Sequence, residues 1–285
     1  MIQQSLSIRH QLSAVIYITD IVTGRAVDHQ RLSLILEPAG NAPIYKNEGC
    51  YIYSNLPVGV YRLTIRSPDY GIVTKQWEWN PEQKNPPVFR LLLQPSPAYS
   101  FGTQATRIDC RCVNASGQPM AGIPLTLYSR SAVNSRARLK KNASLESRVI
   151  EVTTAGVRPL AGEQFVFSAV DKDVTSREIT SDELIMIECL PQLNDQVWQL
   201  TAPLSQSYLS GVLLLPVVQA ITDHHGEAVL VIRAIPSTQG QFELVAGYAN
   251  QKLYRSEMLT VQESEVVTFQ LTIPPSFEED GMAKH

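Results

Sequence analysis

The sequence predicts an all-β protein of two tandem sandwiches, the second interrupted by a large insertion, and three observations carry that prediction. Short alternating runs are punctuated throughout by turn residues, with 18 Pro and 15 Gly against 44% hydrophobic and 18% charged residues. The stretch Gly49–Ile65 compresses two period-two strands and a Leu-Pro-Val-Gly turn into a single unit that reads as a β-hairpin. The same order of strand, Pro, Gly and aromatic-x-Leu returns at Gly226–Ala246, and a Gly-to-Leu spacing at Gly24/Leu32 repeats at Gly117/Leu125. The second repeat sets a period of about a hundred residues, the size of a small sandwich.

Taken in order, Ser13–Thr19 is a first strand, Asp20–Gly24 a turn and Arg31–Leu36 a second strand. In the Gly49–Ile65 unit Tyr51 and Tyr53 share one face, as do Tyr61, Leu63 and Ile65. Ile72–Trp79 follows with Val73, Lys75, Trp77 and Trp79 on one face, and Val88–Leu93 ends a first domain over residues 1–94. Residues 95–104 are a linker stiffened by two prolines in Gln94–Ala98. The second domain, 105–273, opens with Thr106–Val113 and Ile123–Tyr128, but the partner of the Gly49–Ile65 unit is delayed until Ala228, which makes 131–211 an insertion. That insertion starts with a basic loop, Arg136–Lys141, and holds strand-like runs at Arg148–Thr153, Gln164–Val170, Glu183–Leu190 and Gln196–Leu200. Val217–Ile221 re-enters the sandwich, Thr222–Gly226 turns, and strands at Ala228–Arg233, Phe242–Tyr248, Glu257–Val261 and Val266–Ile273 complete it. Residues 274–285 form a short acidic tail, expected to be mobile.

These residues resemble the prealbumin-like, immunoglobulin-type sandwiches: transthyretin, the carboxypeptidase regulatory domain and the B-type repeats of collagen adhesins. The resemblance rests on Asp20-x-x-Thr-Gly24-Arg-Ala-Val, Gly49-x-Tyr51, Asn55-Leu-Pro57-x-Gly59-x-Tyr61-x-Leu63-x-Ile65, and more faintly on Thr222–Ala228 with Pro236 and Gly240–Leu244. It covers roughly residues 12–94, 105–130 and 212–273, and its motifs are turn and core residues that specify fold far better than function. Adhesin repeats of this kind imply a Lys-to-Asn cross-link between first and last strands. None is expected here, since Ser13–Thr19 and Thr106–Val113 hold no Lys and Val88–Leu93 and Val266–Ile273 no Asn. The class also includes components of phage tails and contractile injection particles, so the resemblance implies a non-enzymatic part that connects or decorates such an assembly.

A net charge of -3 offers no overall field for nucleic acid or an anionic membrane. No Sec-type signal and no membrane-length apolar run is visible, so synthesis in the cytoplasm is expected, with incorporation in a released particle as a further option. Cys110 and Cys112 lie two apart on one strand face and read as small buried residues rather than a disulfide or thiolate pair. Asp223, His224 and His225 contain metal-ligand chemistry, but adjacent residues on an extended chain point to opposite faces, and a turn ending in Gly226 explains the run. Asp171, Asp173, Asp182 and Glu183 supply carboxylates without a spacing that demands a glycosidase pair. Gly-x-Ser-x-Gly, Walker-type and His-Glu-x-x-His motifs are absent. No enzyme, cofactor or metal is therefore expected. Six cations fall between Arg130 and Arg148, and Arg136, Arg138, Lys140 and Lys141 are the residues expected to meet an acidic protein partner. The competing expectation is a carbohydrate- or small-ligand-binding module with Trp77 and Trp79 as its stacking platform.

Overall fold

A computed structural model describes residues 11–38, 42–83, 85–102, 105–155, 157–168, 179–189, 196–233, 239–247 and 255–273. The fold is all-β, with several sheets. The chain separates into two compact units, the first ending at Leu93 and the second taking Gln94 onward together with the short segments Ile21–Gly24 and Pro68–Gly71.

The first unit holds β1 (Leu12–Asp20), β2 (Ser33–Glu37), β3 (Ile44–Lys46), β4 (Cys50–Ser54), β5 (Gly59–Arg66), β6 (Val73–Trp79) and β7 (Val88–Leu93). They form one sheet in the order β3-β4-β1-β7 and a second in the order β2-β5-β6. Only β1–β7, running from Val15↔Val88 to Asp20↔Leu93, is a parallel pair among these strands. Alternation does the sorting: Ile16, Ile18, Tyr51, Tyr53, Tyr61, Leu63, Ile65, Trp77 and Trp79 are buried, while their strand neighbours, Cys50 excepted, are partly or fully exposed.

Gly49–Ile65 is not a hairpin. β4 pairs with β1 and β3, whereas β5 pairs with β2 and β6, so the Leu-Pro turn carries the chain from one sheet to the other. The physical reason lies in the turn's own polar groups. The Leu56 amide donates to Ser13 Oγ at 3.0 Å, the Trp79 indole N–H donates to the Leu56 carbonyl at 3.0 Å, and the Tyr61 hydroxyl donates to the Pro57 carbonyl at 2.8 Å. Groups bonded across the core in this way are not available to a strand running back alongside, and Pro57 has no N–H to offer.

The Tyr51 and Tyr53 hydroxyls are buried with no hydrogen-bond partner among the described residues. Burial pushes both up to about 12, aided at Tyr51 by Tyr45 and Asp28 and at Tyr53 by Tyr51. A raised folded-state value means that the unfolded chain loses its phenolic protons first. Their contribution is therefore intact below pH 10 and is lost as pH rises toward 12. Melting curves from pH 8 upward should show the first unit weakening above pH 10. The Tyr51→Phe/Tyr53→Phe double variant should remove most of that decline and stay within about 1 kcal/mol of the parent at neutral pH, since neither hydroxyl has a bond to lose.

The second unit contains β8 (Thr106–Val113), β9 (Pro124–Ser129), β10 (Ala137–Leu139), β11 (Val149–Thr154), β12 (Gln164–Ser168), β13 (Ile179–Cys189), β14 (Val197–Leu200), β15 (Leu213–Ile221), β16 (Glu227–Ile232), β17 (Gly240–Ala246), β18 (Arg255–Val261) and β19 (Val266–Thr272). One sheet runs β16-β8-β19, with β8–β19 parallel. The other runs β10-β11-β14-β13-β12-β15-β9-β17-β18, and β10 also pairs with β15. That last pairing closes β10, β11, β14, β13, β12 and β15 into a six-stranded barrel in which every neighbouring pair is antiparallel. Closure removes the free edges that an open sheet would present.

Two cores result. Ala137, Leu139, Ile150, Val152, Phe165, Phe167, Trp198, Leu200 and Leu214 belong to the barrel cluster. Ile108, Cys110, Cys112, Leu125, Leu127, Leu230, Phe242, Leu244 and Leu271 belong to the sandwich cluster. β15 serves both, because Leu214 packs into the barrel and Val218 and Ala220 pack on the sandwich core. The basic segment read as a loop is thus partly a strand, with Ala137 and Leu139 at 0% and 2% exposure. The strand expected to begin at Val217 begins at Leu213, its first half being barrel wall.

The first and second units repeat one connection. β1 pairs antiparallel with β4 and parallel with β7, as β8 does with β16 and β19. The Ile18 amide donates to the Gly49 carbonyl at 3.0 Å, and the Cys112 amide to the Gly226 carbonyl at 2.8 Å. The sheet register also corrects the spacing repeat by two residues. Leu34 and Leu36 pair with Ile65 and Leu63, as Leu125 and Leu127 pair with Ala246 and Leu244, so the counterpart of Leu125 is Leu34, not Leu32.

Candidate contact surface

β10 presents its side chains alternately, so Ala137 and Leu139 enter the barrel while Arg138 and Lys140 stand on its outer wall. Lys140 Nζ donates to Gln196 Oε1 at 3.3 Å, and Lys141 Nζ lies 2.6 Å from Glu151 Oε1 in an exposed ion pair. Arg138, Lys140 and Arg148 are exposed and make no ion pair with another described residue. Val149, 52% exposed at the start of the neighbouring β11, adds apolar area to this cationic wall. Arg130 is paired with the Glu243 carboxylate and lies over the Tyr128 ring, 5.7 Å from its centroid.

Arg136 does not belong to that wall. It precedes β10 and is 5% exposed, near Glu163 and Arg233. Burial pushes its guanidinium below its ordinary value, Arg233 pushes the same way, and Glu163 opposes them. Glu163 is the hub of this trio: one carboxylate oxygen meets Arg233 Nη1 at 2.5 Å and the other accepts the Leu160 amide at 2.8 Å. Glu163→Ala should therefore cost about 2 kcal/mol in urea denaturation, because it strands two partly or wholly buried guanidinium groups. Arg136→Met should be neutral or slightly stabilising, because it removes the charge that burial disfavours.

The Trp77/Trp79 platform is overturned. At 7% and 1% exposure these rings are core, Trp77 lying among Tyr53, Tyr61 and Phe89 and Trp79 bonded to Leu56, so neither face is open to a sugar. At the Thr222–Gly226 turn, Asp223 Oδ1 accepts the amides of His225 at 2.8 Å and Glu227 at 3.0 Å, and the two exposed imidazoles pack on each other at 3.8 Å. No group of three His, Cys, Asp or Glu able to hold a metal occurs among the described residues. Cys50, Cys110 and Cys112 are buried free thiols, and the hydrogen bond to Cys112, with burial, pushes the Cys110 thiol up. Glu183 is engaged structurally, accepting the Tyr208 hydroxyl and the Ser205 amide, each at 2.5 Å. Asp171, Asp173, the Asp182 side chain and the 274–285 tail lie outside the described residues.

The sequence reading missed a groove of about 370 Å³ over the outer face of β8, lined by Pro97, Phe101, Arg107, Asp109, Arg111 and Glu227. Arg107 Nε donates to Asp109 Oδ1 at 2.9 Å, and its guanidinium lies 4.3 Å from the Phe101 ring centroid. Arg111 is exposed, opposite Glu227 in the ladder. The signal was present in Thr106–Val113, where three charges alternate with Ile108, Cys110 and Cys112.

No family model matches the chain, and no curated protein matches it either. Two solved pilins align along most of it. The major pilin subunit of Bacillus cereus (the D312A variant of BcpA) does so at 8% identity and a TM-score of 0.25, covering 93% of this chain and 99% of its own. A Streptococcal ancillary pilin does so at 8% identity and a TM-score of 0.20, with the same coverages of 93% and 99%. Such scores fall below what a shared fold requires, so the functional reading rests on this chain's own residues. Among the described residues no helix is long and apolar enough to cross a membrane.

Proposed function

We propose that this chain is a non-enzymatic structural protein that connects or decorates a larger protein assembly. In this reading residues 1–94 and 105–273 are two sandwiches joined by the 95–104 linker, and the segment 131–211 is a graft that carries the specific contacts. The observation that supports it best is the barrel's outer wall, where exposed Arg138 and Lys140 lack a carboxylate partner among the described residues and exposed Val149 supplies apolar area. A cationic and apolar wall on a closed barrel suits an acidic protein surface, with charge setting the encounter and apolar area the residence. The resemblance to prealbumin-like sandwiches makes a phage-tail-like or contractile injection particle, assembled from cytoplasmic subunits, the particular assembly we propose.

The test is the size of the native complex. Expressed in its own cell, the tagged chain should migrate in a complex far larger than its own 31.7 kDa. Arg138→Glu/Lys140→Glu should weaken that association about tenfold or more while leaving the melting temperature unchanged. A chain that migrates alone in the native lysate, or a complex indifferent to both reversals, would remove the proposal.

A further inference from the structure

The groove over β8 has no part in the assembly reading, and its charges are arranged for a ligand. Ile108, Cys110 and Cys112 turn into the sandwich core, so Arg107, Asp109 and Arg111 share the opposite face. On β16 the core takes Ala228 and Leu230, which leaves Glu227 beside Arg111 and Val229 beside Asp109 on that outer face. β19 sets Thr268 on the other side of Asp109. Val229 is only 4% exposed and gives the groove an apolar base, with Pro97 and Phe101 also lining it.

The four charges fall into two unlike pairs. Arg107 and Asp109 satisfy each other, Nε donating to Oδ1 at 2.9 Å and to Oδ2 at 3.3 Å, while the guanidinium lies over the Phe101 ring. Phe101 also meets Tyr99, with ring centroids 4.7 Å apart, so the ring serves as a wall and not as a stacking platform. Arg111 and Glu227 are ladder neighbours whose side chains make no ion pair with each other or with any other described residue. The guanidinium donors of the one and the carboxylate acceptors of the other are therefore available to a ligand.

Two properties then select the ligand. Arg107 and Arg111 balance Asp109 and Glu227, so the groove has no net field to gather a simple anion or cation, and an overall neutral ligand suits it. Residues directly opposed in an antiparallel ladder have Cβ atoms about 4.5–5.5 Å apart, so the free cation and the free anion stand side by side. That spacing matches opposite charges carried on a single carbon atom, which is the build of an α-amino acid. The volume of about 370 Å³ lies toward the small end of ligand pockets, which run from roughly 300 to 1,000 Å³.

We propose that this groove binds a free α-amino acid with an apolar side chain, its carboxylate on the Arg111 guanidinium, its ammonium on the Glu227 carboxylate and its side chain over Val229 against Phe101. The Arg107–Asp109 pair is the fixed wall beside it. This site stands without the assembly role proposed above, since it needs only the purified chain. Arg111 is exposed and Glu227 half-buried, so water competes for both and the dissociation constant is on the order of 0.1 to 1 mM.

L-leucine is the probe. Titrated from about 0.05 to 20 mM around that range into the isotope-labelled full chain at neutral pH and low salt, it should shift the amide resonances of Cys110–Cys112 and Glu227–Val229 along one saturating curve. Isocaproate, which lacks the ammonium, and isoamylamine, which lacks the carboxylate, should each bind at least about tenfold more weakly. Arg111→Gln and Glu227→Gln should each weaken L-leucine about tenfold while leaving the melting temperature unchanged. Melting curves verify that each variant is folded, and either variant alone suffices for the test. Absence of a saturating shift, isocaproate binding as tightly as L-leucine, or L-leucine affinity indifferent to a folded Arg111→Gln or Glu227→Gln variant would each overturn the proposal.

Discussion

Gly226→Ala will cost the second unit on the order of 3 kcal/mol, while Gly117→Ala will cost about 1 kcal/mol. Both glycines have positive φ, +72° and +81°, so the backbone penalty is shared. Their surroundings are not. A Cβ at Gly226 would lie 2.5 Å from the Cys112 carbonyl oxygen and 2.9 Å from the Met120 amide nitrogen, whereas at Gly117 nothing lies within 4 Å. The two backbone atoms cannot yield independently, because Cys112 donates to the Gly226 carbonyl and accepts from Met120, both within the strand contacts that open the sandwich. Gly49 is built the same way in the first unit, 2.5 Å from the Ile18 carbonyl at φ +68°, and its alanine variant should weaken that unit instead. Urea denaturation followed by hydrogen exchange reads out both. Equal losses at Gly226 and Gly117 would mean that the close approach contributes nothing beyond the turn conformation.

Trp198→Ala should cost about 4 kcal/mol, the cost of a large cavity in a core that cannot collapse around it. Trp198 is fully buried in the barrel against Phe165, with ring centroids 5.2 Å apart. The location of the damage matters as much as its size. β15 is a wall of the barrel and also the cover of β9, so loosening the barrel should reach the sandwich through Leu214, Val218 and Ala220. Amides of β9 and β17 should then exchange faster in the variant, by the same free energy as those of β12. Unchanged protection on β9 and β17 would show that the sandwich keeps β15 without the barrel behind it.

Some of the candidate contact surface was legible and some was not, and Arg136 and Arg138 show the difference. Both were visible as cations two residues apart, which on a continuous strand would place them on one face. The strand begins between them, at Ala137, so Arg138 faces out while Arg136 is buried beside Glu163, a residue 27 positions further along the chain. The tryptophans failed for a related reason. An aromatic pair at period two looks alike whether its face is covered or open, and here the opposite sheet covers it. The groove over β8 went unread although its three alternating charges were in plain view, because the segment that walls it with Pro97 and Phe101 looked like a linker.

The sequence by itself determined that this chain is all-β, where most of its strands lie and which of their residues face inward, since side-chain alternation is a local property written in every second residue. Tertiary structure alone decided which strands are neighbours: that β4 and β5 part company at Leu56-Pro57, that β10 to β15 close a barrel, and that β15 covers β9 while β2 ends its sheet among the described strands. The reason is that sheet partners are joined by backbone N–H and C=O groups that almost every residue carries alike, so the hydrophobic pattern selects a face but not a neighbour.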